Sequence, residues 1–175
     1  MRIEINEKGS EAFYREVVSV ASQYRFILKD HRRKIRDYFR HYKGLIVLGT
    51  VFLIMVVLVM IFWGVETMEI VAAVLLAIGV AFSAVFLSSL NKAKNAMMSD
   101  ERPSVVVLDD AGVELSKGSQ VVRLGWDNIA VVREGAESLS FISADQTGLV
   151  ISVDKRYADG ITAWLYDNKP QVEIV

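Results

Sequence analysis

Hydropathy divides the chain into three regimes. Residues 45–63 hold no charged side chain and are almost wholly Leu, Ile, Val, Met and Phe, broken by Gly49 and Thr50; residues 70–90 are as long and also uncharged. At ~1.5 Å per helical residue, each run matches the ~30 Å hydrocarbon core of a bilayer. Between them, Gly64-Val65-Glu66-Thr67-Met68-Glu69 carries two carboxylates and a glycine, natural in a surface turn and expensive in lipid. Residues 44–90 therefore read as a transmembrane helical hairpin with spans at 45–63 and 70–90.

Before the hairpin, Arg2-Ile3-Glu4-Ile5 alternates in a strand pattern and Ser10 ahead of Glu11 offers a helix N-cap. Neither Pro nor Gly interrupts residues 11–43. Phe13, Val17, Val20, Tyr24, Ile27, Ile35, Tyr38 and Tyr42 fall on one helical face, with His31 among them. One basic amphipathic helix is expected throughout. Its charged face admits two readings, a solvated surface that only sets topology or contact with an anionic leaflet through Arg32, Arg33, Arg36, Arg40 and Lys43.

After the hairpin, residues 91–103 form a polar linker, whose first part can extend the second helix beyond the membrane and which ends at Pro103; beyond it the period becomes two. Residues 104–108, 113–115, 121–126, 129–133, 139–143 and 149–153 read as six short strands. They are separated by Asp109-Asp110-Ala111-Gly112, Lys117-Gly118-Ser119, Glu134-Gly135-Ala136 and Asp145-Gln146-Thr147-Gly148. Then Asp154 is a candidate N-cap, and Tyr157, Ile161, Trp164 and Leu165 share a helical face. The expected class is an α+β membrane protein: an N-terminal strand and helix at 1–43, the hairpin, the linker, and a small antiparallel β domain at 104–175 closed by a helix. Residues 170–175 are too short to classify.

In the second span Ala73, Ala77, Ala81, Ala84 and Ser88 line up as a small-residue packing face, and Gly79 and Ser83 begin a second one. Its default partner is the first span, and a second copy of the chain is the alternative. Phe62 and Trp63 at one end of the first span, and Tyr38 and Tyr42 near the other, suit the two interfaces.

The net charge of −1 hides an asymmetry: +5 over residues 1–43, −2 over the hairpin and −4 after it. Basic flanks are held in the cytoplasm, so both termini are expected inside a bacterial inner membrane with Glu66 and Glu69 outside. The long charged segment ahead of the first apolar run does not suit a cleavable signal peptide. The acidic C-terminal piece argues against nucleic acid, and the absence of cysteine excludes thiolate chemistry.

Candidate chemistry is sparse. Asp109 and Asp110 are neighbours in a turn, His31 and His41 lack metal-ligand spacing, and Gly135, Gly148 and Gly160 match no phosphate-cradling motif. No cofactor and no enzyme activity are expected. Trp126 could stack on a ligand and Lys155 and Arg156 could grip a phosphate; the competing reading makes Trp126 a core residue and leaves the pair facing water.

Gly112-Val113, Trp126-Asp127-Asn128-Ile129 with Val132 and Glu134, Phe141, and Val153-Asp154-Lys155-Arg156-Tyr157 together resemble the YcxB-like family of bacterial membrane proteins. That family joins two spans to a pleckstrin-homology-like (PH-like) domain; it tends to have proline where this chain has Asp154. The resemblance implies a fold and a location but no reaction. A PH-like sheet has seven strands, which makes residues 2–6 the expected seventh. Function is then expected to be presentation of a cytoplasmic protein-interaction module to a protein partner. The alternatives are an immunity protein against a membrane-acting toxin and an oligomeric pore.

Overall fold

The computed structural model describes residues 1–63, 67–145 and 147–175. The expected turn at Gly64, Val65 and Glu66, the side chain of Trp63, and Gln146 lie outside the described residues. Two units result: residues 1–35 with 94–175, and residues 36–93.

The first unit is α+β. β1 (Arg2–Ile5) pairs antiparallel with β2 (Ser104–Leu108), Ile3 opposite Val106. β3 (Gly112–Lys117) and β4 (Gln120–Gly125) complete a four-stranded sheet in the order β1-β2-β3-β4. The N-terminal strand is thus the seventh strand, reached across most of the chain. After a 3-10 turn at Trp126–Asn128, β5 (Ile129–Glu134), β6 (Ser138–Ser143) and β7 (Val150–Asp154) form a second antiparallel sheet.

Turn chemistry sets the strand ends. Asp109 Oδ1 accepts from the amides of Ala111 (2.8 Å) and Gly112 (3.0 Å), while Gly118 and Gly148 take φ of 60° and 71°, which glycine adopts without a Cβ penalty. Asp154 caps as expected, accepting from Arg156 N at 3.0 Å, but what it caps is a 3-10 turn at Lys155–Tyr157. The α-helix α4 (Ala158–Asn168) starts after that turn. Ile161 and Leu165 of α4 are fully buried in the main core with Val106, Leu108, Leu139, Phe141 and Ile151.

The second sheet is covered on its other face as well. α1 (Glu11–Lys29), capped by Ser10 Oγ accepting from Phe13 N at 3.0 Å, brings Val20 and Ile27 against Val131 and Ile142. A register shift between Ile129 and Val131 lets Ala130 and Val131 both join this second core while Val132 remains in the first. β6 is in consequence buried along its whole length.

One amphipathic helix over residues 11–43 is not what forms. α1 ends at Lys29, with Asp30 as its C-cap, and residues 30–37 are non-helical. Two aspartates cause the break. Asp30 Oδ1 accepts from Arg32 N at 3.2 Å, and Asp37 Oδ1 accepts from Arg40 N at 3.2 Å as a helix-starting residue does. Both side chains compete for backbone donors that a continuous helix would use. Arg133 of β5 reinforces the break, its guanidinium donating to the carbonyls of His31 (2.9 Å) and Arg33.

Residues 172–175 add a short parallel segment to the free edge of β5. Val132 N donates to Glu173 O (2.9 Å), Val175 N to Val132 O (2.9 Å) and Glu134 N to Val175 O (2.8 Å). Val172 and Ile174 pack on the main core, and Val175 on the second. Three backbone hydrogen bonds at ~1 kcal/mol each and three half-buried apolar side chains at ~1 kcal/mol each face an ordering cost of ~1–2 kcal/mol for each of four residues, so the tail sits near balance.

The second unit is a hairpin of two long apolar helices, α2 (Tyr38–Trp63) and α3 (Thr67–Ser99), the last turns of α3 belonging to the first unit. Both are long and apolar enough to span a membrane. Along α2 the shielded positions include Tyr42, Ile46, Gly49, Leu53, Val56 and Met60; along α3 they include Ala73, Leu76, Val80, Ser83 and Leu87, with Ala72, Phe86 and Leu90 beside them. Recurrence at steps of three and four residues suits one helix face packed on another. At Gly49 the helices are close, since a Cβ there would lie 2.6 Å from Val80 Cγ2. Tyr42 and Phe86 close the pair with ring centroids 4.6 Å apart.

The small-residue face is not the face that meets α2. Of Ala73, Ala77, Ala81, Ala84 and Ser88, only Ala73 lies on the seam and the other four are exposed. Spacings of three and four residues fit several faces of one helix, and the face used here carries Val80, which lies against Gly49.

Candidate binding site

Between the end of β1, the start of α1 and the segment entering β2 lies a cavity of about 550 Å³. Its apolar lining includes Ile5, Phe13, Val17, Met97, Leu115 and Val150, and its rim is ionic. Lys8 Nζ meets Glu101 at 2.6 Å, Arg102 meets Asp100 at 2.7 Å, and Lys117 reaches Asp100 at 3.3 Å. These pairs tie the loop after β1 and the linker before β2 to their surroundings, and Lys94 adds a 2.6 Å pair to Glu11 of α1. The linker's Arg102 lies so close to Gly118 that a Cβ there would meet its Cδ at 3.0 Å.

The rim perturbs its carboxylates. The hydrogen bond from Arg102 holds Asp100 far below the ordinary carboxylate range, with Lys117 adding to the effect, and Lys8 lowers Glu101. A folded-state pKa below the unfolded one means stability that is present in full above the ordinary value of ~4 and is lost as pH falls through the lowered one. Carbon-13 titration of the two carboxylates should give midpoints below ~3.9 for Asp100 and ~4.3 for Glu101; ordinary midpoints would mean that the rim is not formed in solution.

A second cavity, also about 550 Å³, shares Lys8 and Asp154 with the first and is lined by Ser10, Ala136, Glu137, Lys155 and Arg156. Lys155 binds Glu134 and also reaches Gly135 O at 3.4 Å. Arg156 binds Asp154 through Nε at 3.0 Å, Glu7, and the carbonyl of Lys8 at 3.3 Å. Asp154 first, and then Glu7, raise its pKa further above the ordinary guanidinium value. Lys155 and Arg156 therefore face carboxylates, and what they grip is the chain itself, around the β1–α1 loop and the β5–β6 turn.

Trp126 has a different neighbourhood. Its Nε1 donates to Asp109 O at 2.8 Å, its ring stacks on Trp164 at 5.9 Å, and Lys169 Nζ lies 5.7 Å from its centroid. The side chain packs against the main core, which is the core reading of this tryptophan. Of the basic residues weighed for lipid contact, Arg32 and Arg33 are exposed in the loop after α1, Arg33 lying 4.8 Å over Phe26. Arg36 precedes α2, and Arg40 and Lys43 are exposed on its first turns. His31 Nδ1 contacts Glu173 at 2.9 Å, and His41 packs 5.5 Å from Tyr42. Among the described residues no three His, Asp or Glu side chains converge as metal ligands would.

Two positions escaped the reading of the sequence. Glu16 of α1 accepts from the amides of Ala136 and Glu137 (both 3.1 Å) and from Ser138 Oγ (2.6 Å). Nothing local to Glu16 sets it apart from other surface carboxylates, although Ser138 and Ser140 in a strand mark a polar face awaiting a partner. Arg133 is the other: it is partly buried, and burial lowers its pKa, while its carbonyl acceptors lie about a hundred residues away.

Comparison with protein-family models, with curated proteins and with solved structures finds no match to this chain.

Proposed function

We propose that this protein is a two-span integral protein of the bacterial inner membrane, with both termini cytoplasmic, and that its first unit is a non-enzymatic PH-like module that binds a protein partner. The observation that carries the membrane assignment is the outer surface of the hairpin. Ile61, Phe62, Leu75, Phe82 and Val85 are each about two-thirds exposed or more. Contiguous apolar surface on this scale is costly in water and at rest in lipid. The basic residues from Arg25 to Lys43 lie ahead of the first span, which favours the cytoplasmic side for the N-terminus.

Four strands, three strands and a closing helix support the PH-like reading. With β1 as first strand, α1 and the membrane hairpin form an insertion between the first and second strands of one domain. The interaction reading is supported by two sheets that make a frame, with the ionic groups around both cavities holding its chain segments together.

Single cysteines in this cysteine-free chain test the topology. Thr67→Cys should react with an impermeant maleimide in intact cells, whereas Ser119→Cys, in the exposed β3–β4 turn, should react only after permeabilisation. Labelling of Ser119→Cys from outside would reverse the orientation and remove the cytoplasmic reading.

A further inference from the structure

We propose that the outer edge of β5 is a strand-addition site for an extended segment of the protein partner, with apolar residues on either side of an acidic one, and that residues 172–175 are its resident occupant. This rests on the protein-binding reading above and adds the place and the pattern recognised. A strand edge offers a row of backbone donors and acceptors that any extended chain can complete, with side-chain pockets supplying selectivity. On β5 the amides of Val132 and Glu134 and the carbonyl of Val132 are taken by the tail through three hydrogen bonds of 2.8–2.9 Å.

The pattern follows from what each tail residue meets. Val172 and Ile174 lie on the main core and Val175 on the second, so both cores are open to apolar anchors along this edge. Glu173, between the anchors, meets His31 at 2.9 Å. His31 is held in turn by Arg133, which donates to its carbonyl at 2.9 Å, and Arg32, Arg33 and Lys34 follow in the same loop. Glu173 thus sits against His31, whose loop is held by the cationic Arg133, a setting that favours a carboxylate. The hinge is short: Val172 N bonds Lys169 O at 3.0 Å around Pro170, and α4 ends at Asn168. With its docking near balance, the tail can leave without α4 moving, and a partner segment of the same pattern would replace it contact for contact.

Hydrogen exchange on the full chain in nanodiscs tests this, with a capped peptide of residues 170–175 as the probe. In the double variant Glu173→Lys, Ile174→Asp, the amides of Val132 and Glu134 should exchange at least tenfold faster while that of Phe141 keeps its protection. The peptide should restore protection saturably, and a peptide with lysine in place of the glutamate should need at least tenfold higher concentration. If Phe141 also loses protection, Glu173→Lys alone, at an exposed residue outside both cores, carries the same readouts. Amides at 132 and 134 that stay protected in the variant, or stay unprotected at saturating peptide, would overturn the proposal. A concentration-dependent dimer that vanishes in the variant would assign the edge to a second copy's tail instead of a partner. Since the readout does not involve the membrane, a failed peptide leaves the topology standing, and reversed labelling at Ser119 leaves the edge standing.

Discussion

Phe141→Ala should destabilise the first unit by about 3–5 kcal/mol, the range for deleting a fully buried aromatic ring. Phe141 has no exposed surface and sits mid-strand in β6, opposite Val132 of β5 and Ile151 of β7, in the core that α4 closes. With neighbours on both flanking strands, the site cannot collapse around the lost ring, so transfer and cavity terms add. Near-UV circular dichroism of the full chain in detergent should show Tm falling by roughly 10–20 °C. Phe82→Ala is the matched control: its ring is 67% exposed on the hairpin, and removing it should shift stability by no more than ~0.5 kcal/mol. Equal effects at the two positions would mean that β6 is not the centre of the core.

How legible the fold was in the sequence depended on how local each cause is. The strands of the C-terminal region were legible because their ends are set by turn residues within a few positions, as with Asp109 accepting from Ala111 and Gly112. The face of the last helix was legible too, with Ile161 and Leu165 buried four residues apart. Helix continuity over residues 11–43 was not, because the break comes from aspartates, which are ordinary in helices until their side chains take backbone donors. Arg133, from a distant strand, then holds the break in place. The face of the second span that meets the first was only partly legible, with Ser83 and Ala73 shielded and Ala77, Ala81, Ala84 and Ser88 exposed. Small-residue spacing marks a surface able to pack, and the face used here carries Val80, which lies against Gly49 on the other helix. Among the candidate site residues, Trp126, Lys155 and Arg156 were recognisable as chemistry-bearing, but the carboxylates that occupy the two cations, Glu134, Asp154 and Glu7, are assembled by the fold. The tail illustrates the limit: Val172-Glu173-Ile174 alternates, yet three residues predict a strand only once a β5 edge is known to await them.

Glu16→Ala should cost about 2–4 kcal/mol, large for a surface carboxylate, because one side chain serves three donors in the β5–β6 turn. Removing it leaves Ser138, 1% exposed, without its main acceptor, and frees the polar half of the α1–β6 contact while Val20 and Ile27 still hold the apolar half. Glu16→Gln keeps one acceptor oxygen and should recover part of the loss. The neighbouring glycine supplies the sharper test. A Cβ on Gly135 would lie 1.9 Å from Glu16 Oε1, so Gly135→Ala must push the carboxylate off the turn and should destabilise through the same interaction. The two changes should then be strongly non-additive: Gly135→Ala costly in the wild-type chain and nearly neutral once Glu16 is alanine. Thermal unfolding of the four members of this cycle measures the coupling directly. Additive effects would show that α1 is held by its apolar stripe alone, and that the carboxylate over the turn contributes nothing to docking it.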